Sequence, residues 1–179
     1  MKLYVARHGE TEYTLNNIVC GSTDCLLTDK GREQARRLAD DIKSKNVHIG
    51  VIYTSPLRRA METAEIISNA ISVPCIVDAR LREQNCGAYE GTVKRNDKEF
   101  NASRLHFANR LKGGDSALRL AQRVYSFLDD VCVGESVSNP LIVGHVCVCM
   151  MINSYFNEVT NDELFSYRPG TCTLNEYEF

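Results

Sequence analysis

Short apolar runs alternate with longer segments of helical periodicity along most of the chain. Largely apolar runs of three to five residues occur at 3–6, 49–53, 75–77 and 141–144, and each predicts a strand, the first of them buried. In several of the segments between them, apolar residues recur every three or four positions, as on one face of a helix. Strands that alternate with helices build a mostly parallel sheet with helices on both faces. We therefore predict an α/β fold, a three-layer α/β/α sandwich.

Several element boundaries can be read from capping signals. Thr28 is predicted to cap a helix, and Pro56 is predicted at the first position of a second helix. A third helix is expected to follow residues 113–116. The run from Val146 to Tyr155 is apolar nearly all round, which predicts a buried helix. Residues 171–177 are predicted to form a last edge strand.

Length, charge and cysteine content exclude several classes of protein. The 179 residues predict a single domain, 1–179. A net charge of -2 argues against a nucleic-acid partner, which usually requires a basic face. No stretch reaches the roughly 18 apolar residues of a membrane span. Several of the eight cysteines lie in apolar stretches and no secretory leader is visible, so we predict a cytoplasmic protein with reduced thiols.

Charged and imidazole side chains follow the predicted strands. Arg7 and His8 come directly after the first strand, and Arg59 lies near the start of the helix after the second. Glu83 follows the third strand, and His145 follows the strand that ends at Gly144. Ligands of open α/β sheets bind beyond the carboxyl ends of the strands. We therefore expect these five side chains to meet at one edge of the sheet.

Two histidines and two arginines near one point suit a phosphate group. Arginine binds phosphate oxygens with two parallel hydrogen bonds and stays charged. A neutral imidazole can attack phosphorus and form a covalent intermediate. A carboxyl group must then protonate the leaving oxygen and later activate water, and Glu83 is placed for both steps. Each residue alone has an ordinary structural interpretation, and it is their joint position that indicates phosphoryl transfer.

Six short motifs carry a family resemblance. They are Arg7-His8-Gly9-Glu10-Thr11, Gly21-Ser22-Thr23-Asp24, Ser55-Pro56-Leu57-Arg58-Arg59-Ala60, Leu81-Arg82-Glu83, Gly113-Gly114-Asp115-Ser116 and Val143-Gly144-His145. On these motifs the chain resembles the histidine phosphatase superfamily, which includes the cofactor-dependent phosphoglycerate mutases. The resemblance extends over nearly the whole chain and implies a phosphoglycerate mutase-like fold.

The resemblance also implies a role for each of the five side chains. His8 would be the phosphorylated nucleophile. Arg7, Arg59 and His145 would hold the transferring phosphoryl group with preorganised charge. Glu83 would be the proton donor and then the general base.

Four positions that the family uses near its substrate differ here. Thr14 stands where an asparagine is usual, and Ile18 where a basic residue is common. Cys20 replaces a small polar residue, and Val146 follows the second histidine where glycine is common. Together with Gly21, the positions Thr14, Cys20 and Val146 are the predicted substrate-binding residues. The differences indicate a substrate preference of this chain's own, or a reduced activity.

The segment between Glu83 and His145 favours hydrolysis over mutase chemistry. It holds 61 residues, fewer than in the family's mutases, which carry an insertion here. A mutase must exclude water between its half-reactions, which requires a good lid. We therefore predict a phosphatase for small anionic phosphorylated metabolites, similar to the α-ribazole phosphatase and broad-specificity phosphatase branch. Residues 84–114, with Lys94 and Arg95 among six basic residues, are predicted to form a basic, lid-like segment.

Three alternatives stay open at this point. One is a phosphoglycerate mutase, and another is a regulatory binding module that keeps the fold without catalysis. The third is a metal site at His145, Cys147 and Cys149, which lack the paired spacing of zinc ligands. We predict neither a metal nor a cofactor. The oligomeric state is not predicted.

Overall fold

The fold is built around a five-stranded sheet. The computed structural model describes residues 2–133 and 138–179, so residue 1 and residues 134–137 of the predicted domain lie outside the described residues. The strands are β1 (Lys2–Arg7), β2 (Ile52–Thr54), β3 (Cys75–Val77), β4 (Leu141–Gly144) and β5 (Leu174–Glu178). The α-helices are α1 (Glu12–Leu15), α2 (Asp29–Ser44), α3 (Arg58–Ile71), α4 (Lys98–Arg104), α5 (Ala117–Val133), α6 (Val146–Phe156) and α7 (Asn161–Ser166).

The sheet is mostly parallel, as predicted. Its strand order is β3-β2-β4-β1-β5, and β5 alone runs antiparallel to its neighbour. Arg7 of β1 lies beside Gly144 of β4, and Thr54 of β2 lies beside Val143. The carboxyl ends of the three central strands therefore end at one level, and the residues that follow them meet at one edge of the sheet.

Alternate residues of the central strands pack into two separate cores. Leu3 and Val5 face a core with α5 and α6, whereas Tyr4 and Ala6 face a core with α2 and α3. This alternation follows from the two-residue period of a strand. The central strands are apolar on both faces because helices cover both, which confirms the predicted three layers.

Several helix boundaries agree with the sequence and one does not. The Thr28 side chain accepts a hydrogen bond from the Gly31 amide and caps α2, as predicted. The prediction that Pro56 starts the second helix was wrong, because α3 begins at Arg58 after an extended Leu57. The Leu57 amide instead donates to the Ser55 hydroxyl, which forms a tight turn before the helix. The predicted buried helix after His145 is confirmed and ends at Phe156.

Two predicted strands shift in their bounds. The strand predicted over 49–53 forms over Ile52–Thr54, after a bend at Gly50. The predicted last edge strand is confirmed, but it begins at Leu174 because Cys172 has a left-handed backbone with φ of 51°. A strand cannot include that conformation.

The segment 84–114 contains a short 3-10 turn, Gly87–Tyr89, and α4. It packs through a small apolar cluster of its own, formed by Val19, Cys86, Tyr89, Phe100 and Leu111. The segment is therefore attached to the sheet domain through a third, minor core. Among the described residues, no helix combines the length and apolar character needed to cross a bilayer.

Candidate active site

A cleft of about 690 Å³, open mouth included, lies where the carboxyl ends of β1 and β4 meet. Arg7, His8, Arg59 and Glu83 line the cleft. His145 is fully buried beside them, with its ring centroid 5.2 Å from that of His8. The five residues predicted to be catalytic are thus brought together, and we call them the inner site.

The His8 ring is held in one tautomer. Its Nδ1 lies 2.7 Å from the Gly9 carbonyl oxygen. A carbonyl can only accept a hydrogen bond, so Nδ1 carries the proton and Nε2 carries the lone pair. Burial, followed by the charges of Arg59 and Arg7, lowers the pKa of His8 well below its usual value. The ring is therefore neutral at pH 7, with a nucleophilic nitrogen at Nε2.

Arg59 is almost fully buried and its guanidinium is oriented by the backbone. Its Nε donates to His8 Nε2 at 3.2 Å, Nη1 donates to the Thr23 carbonyl at 2.8 Å, and Nη2 donates to the Gly21 carbonyl at 2.7 Å. The position of Arg59 near the start of α3 follows from the extended Leu57. A permanent positive charge is thereby placed beside the nucleophilic nitrogen.

Arg7 and His145 hold polar atoms that no described residue satisfies. Arg7 Nη1 donates to the Pro169 carbonyl at 3.2 Å, but its Nε has no hydrogen-bond partner within the described part of the chain. The same holds for both ring nitrogens of His145. Burial lowers the pKa of Arg7 to about 10, which leaves it charged at neutral pH. Buried polar groups are nearly always hydrogen-bonded in proteins, so these nitrogens are left for a bound group to pair.

Glu83 is buried, and each of its carboxylate oxygens is held by one backbone amide. The Gln84 amide donates to Oε1 at 2.9 Å, and the Cys147 amide donates to Oε2 at 3.1 Å. The second contact comes from the first turn of α6, just after His145. The carboxyl group of Glu83 therefore faces the cleft in a defined orientation, with one oxygen set by the helix that follows β4.

The predicted substrate-binding residues divide into two sets. Thr14, Cys20 and Val146 line the cleft. Gly21 does not line the cleft, and its carbonyl accepts a hydrogen bond from Arg59 Nη2. A side chain at Gly21 would meet the Gln84 carbonyl at 2.2 Å, so this close approach requires glycine. Gly21 thus orients Arg59.

Three further arginines line the outer part of the cleft. Arg95 and Arg104 come from the segment 84–114, and Arg168 follows α7. Sequence reasoning included the first two only in a basic run and missed Arg168, for which the sequence carries no motif or periodicity. We call Arg95, Arg104 and Arg168 the outer arginine cluster.

Arg95 supplies a charge at the corner where Ile18 lacks one. Arg95 Nε donates to the Ile18 carbonyl at 3.0 Å, and its side chain lines the cleft. Its neighbour Lys94 is exposed, donates to the Asn16 carbonyl at 2.6 Å and does not line the cleft. The basic run is therefore divided, with only part of it facing the candidate site.

The remaining cleft walls are mostly apolar or sulfur-containing. They are formed by Thr11, Val19, Cys86, Phe100 and Cys147. Within residues 2–133 and 138–179, no group of three or more histidine, cysteine, aspartate or glutamate side chains is arranged to hold a metal ion.

Comparisons with known proteins agree with this geometry. The sequence pattern of the histidine phosphatase superfamily (branch 1) matches residues 3–179. "Putative phosphoserine phosphatase 2" of Hydrogenobacter thermophilus is 39% identical over 152 residues, 80% of this chain and 72% of that protein. "Probable phosphoglycerate mutase GpmB" of Escherichia fergusonii is 34% identical over 151 residues, 81% of this chain and 69% of that protein.

A solved structure has the same fold. The protein named YhfR of Bacillus stearothermophilus matches with a TM-score of 0.85 at 29% identity, over 99% of this chain and 90% of that one. The match includes the sheet and the helices that surround the cleft, since it covers nearly the whole chain. The chain therefore belongs to branch 1 of the histidine phosphatase superfamily and is an enzyme of the phosphatase or mutase kind.

Proposed function

We propose that this protein is a phosphatase that hydrolyses small phosphomonoesters through a phosphohistidine at His8. The observation that carries the proposal is the His8 ring, which is neutral, has its lone pair on Nε2, and lies in a cleft beside two buried arginines. A neutral imidazole next to fixed positive charge is a nucleophile matched to a phosphate dianion.

The first step transfers the phosphoryl group to His8. The guanidinium groups of Arg7 and Arg59, with His145, bind the phosphate oxygens, and Nε2 of His8 forms a bond to phosphorus. The bond between phosphorus and the ester oxygen breaks, and that oxygen takes a proton from the protonated carboxyl group of Glu83. The alcohol then leaves.

The second step releases phosphate. Glu83, now a carboxylate, takes a proton from water as the water oxygen attacks phosphorus. The bond between phosphorus and Nε2 breaks, inorganic phosphate forms, and Glu83 is protonated again. Support for both roles of Glu83 comes from its burial at the cleft and from the two amides that orient it.

The outer arginine cluster favours substrates with a second negative group. Five arginines and one carboxylate line the cleft, which is more positive charge than a single phosphate dianion balances. A carboxylate or second phosphate near the ester would bind Arg95, Arg104 or Arg168. The names of the two relatives point to such phosphorylated acids, and on this ground we place phosphoserine and phosphoglycerates first among candidate substrates.

The second candidate function is mutase-type transfer. It is favoured by the relatives named as phosphoglycerate mutases. Hydrolysis is preferred because the short segment between Glu83 and His145 leaves the cleft open to water. Assays with 3-phosphoglycerate should therefore release inorganic phosphate faster than they form 2-phosphoglycerate. Rapid isomerisation with negligible phosphate release would establish the mutase instead.

A phosphatase screen tests the proposal as a whole. Purified protein is assayed for phosphate release from p-nitrophenyl phosphate, phosphoserine, 3-phosphoglycerate and a panel of neutral sugar phosphates. His8→Ala should abolish turnover, whereas His48→Ala, which alters an exposed histidine, should not change it. Absence of turnover on every substrate would favour a binding module that has lost catalysis.

A further inference from the structure

Two cysteines lie side by side at the wall of the cleft. Cys20 Sγ and Cys25 Sγ are 3.9 Å apart, and both side chains are half-buried rather than enclosed. Cys20 lines the cleft and Cys25 beside it is also partly exposed, so a small solute can reach the pair. From this geometry we infer that Cys20 and Cys25 form a reversible disulfide when the protein meets a hydroperoxide, and that this bond lowers turnover.

The pair is suited to oxidation because its two thiols differ. Arg59 Nη1 lies 3.8 Å from Cys25 Sγ. The hydrogen bond from Cys20, together with the charge of Arg59, lowers the pKa of Cys25 to about 6. The hydrogen bond to Cys25, together with burial, raises the pKa of Cys20. Cys25 is therefore largely a thiolate at pH 7, which is the reactive form, and Cys20 remains a thiol.

Other cysteines near the cleft are poorly suited to this reaction. Cys147 and Cys149 lie on α6 and are buried, and burial raises the pKa of Cys147 to about 11 and that of Cys149 to about 12. Arg104 Nη2 lies 3.9 Å from Cys147 Sγ, but burial outweighs this charge, so both side chains stay in the unreactive thiol form at pH 7. Reactivity is therefore expected to concentrate on the pair at 20 and 25.

The chemistry uses one hydroperoxide for each disulfide. The Cys25 thiolate attacks one peroxide oxygen, the oxygen–oxygen bond breaks, and the departing oxygen takes a proton and leaves as water or an alcohol. The sulfenic acid on Cys25 is then attacked by Cys20 sulfur, which loses its proton as hydroxide leaves as water. The two sulfur atoms are oxidised by two electrons in total, and the peroxide is reduced by two.

A disulfide between Cys20 and Cys25 would displace the backbone carbonyls that orient Arg59. The loop that this disulfide closes contains Gly21 and Thr23, whose carbonyls accept hydrogen bonds from the two terminal nitrogens of Arg59. A disulfide requires about 2.0 Å between sulfur atoms, so the present separation of 3.9 Å must shorten by about 1.9 Å. Movement of about 1 Å in a positioning group can cost about 100-fold in rate. We expect a loss of about tenfold or more in kcat/KM on oxidation.

Mass spectrometry can detect this bond without any assay of activity. The reduced protein is treated with one equivalent of hydrogen peroxide, the remaining thiols are alkylated, and the protein is digested with trypsin. Cleavage after Arg7 and Lys30 gives a peptide, 8–30, that contains only these two cysteines. That peptide should lack alkyl groups and be 2 Da lighter than its dithiol form. Dithiothreitol before alkylation should restore two alkylated cysteines.

Activity on p-nitrophenyl phosphate is measured on the same samples, each relative to its own untreated value. The wild type should lose activity and recover it with dithiothreitol, and Cys75→Ser, which changes a half-buried cysteine on β3, should behave in the same way. The variants Cys20→Ser and Cys25→Ser should keep their activity after peroxide treatment. Two alkylated cysteines after peroxide, or a sulfinic acid on Cys25, would overturn the inference. If the disulfide forms and activity is unchanged, the proposed effect on Arg59 is wrong. The mass readout holds even if the phosphatase proposal fails.

Discussion

The inner site and the outer arginine cluster line the same cleft but are held very differently. Arg59 is nearly fully buried and donates to two backbone carbonyls and to His8, whereas Arg95 is half-buried and donates to one carbonyl. Arg7, His8 and His145 lie at the carboxyl ends of β1 and β4, whereas two of the three outer arginines lie on the segment with its own minor core. On this difference we propose that the inner site carries out the chemistry and that the outer arginine cluster selects the substrate.

The largest effect should follow loss of the acid in the inner site. Glu83→Gln keeps the size of the side chain but cannot transfer a proton, so kcat/KM for phosphoserine, which reports the first phosphoryl transfer, should fall about 10²- to 10⁴-fold. The loss should be smaller for p-nitrophenyl phosphate, because its leaving group departs without a proton. Glu65→Gln, at an exposed helix position, serves as the control. Equal losses for both substrates would argue against proton donation by Glu83.

A second large effect is expected at Arg59. Arg59→Lys keeps the charge but cannot donate hydrogen bonds to His8 and to the carbonyls of Gly21 and Thr23 at once. We therefore expect kcat/KM to fall about 10²- to 10³-fold. The free energy of unfolding should also fall by about 1–3 kcal/mol, since buried carbonyls of Gly21 and Thr23 lose their partners. Enzyme kinetics and urea unfolding measure the two effects. Full activity in this variant would contradict the proposed phosphate contact.

Loss of a charge from the outer arginine cluster should change KM and leave kcat nearly unchanged. Arg95→Gln is expected to raise KM for phosphoserine by about tenfold with little change in kcat, because a binding contact is lost and the reacting atoms are untouched. Its neighbour provides a matched control, since Lys94→Gln alters a side chain outside the cleft. KM for p-nitrophenyl phosphate should stay the same in both. A fall in kcat in Arg95→Gln would break the division between the two regions.

The smallest effect concerns pH. Burial lowers the pKa of both His8 and His145 below the value near 6.5 of an unfolded chain. Below that pH the unfolded state binds more protons than the folded state, so stability decreases as pH falls through 6.5. The melting temperature should therefore drop between pH 7 and pH 5.5, and the drop should be smaller in His145→Gln than in His48→Ala. An equal drop in both variants would refute this assignment.

The sequence contained most of the inner site and little of the outer cluster. Arg7, His8 and His145 could be placed because each lies at the carboxyl end of a strand with a clear apolar run, and parallel strands end at one edge. Arg95, Arg104 and Arg168 meet only through tertiary packing of segments without periodicity. The start of α3 was misplaced because the hydroxyl of Ser55 forms a turn that residue preferences alone do not distinguish from a cap.

The lid-like role of residues 84–114 and the cytoplasmic location stay predictions. The segment contributes two arginines and Phe100 to the cleft wall, as a lid would. We would reverse the charge of Arg95 and, as a control, that of Lys94, and measure kcat/KM at low salt. A fall in the Arg95 variant alone would show that the charge of Arg95 attracts the substrate. An unchanged kcat/KM in the first variant would contradict a lid that works by charge.

The most direct test of the account is to trap the covalent intermediate. The protein is mixed with phosphoserine or p-nitrophenyl phosphate, quenched in base within milliseconds, and digested for mass spectrometry, since phosphohistidine survives base and is lost in acid. We predict a phosphate of 80 Da on the peptide 8–30, at His8, in the wild type and in His48→Ala. Turnover without any adduct on His8, or an adduct that persists in His8→Ala, would contradict the central claim.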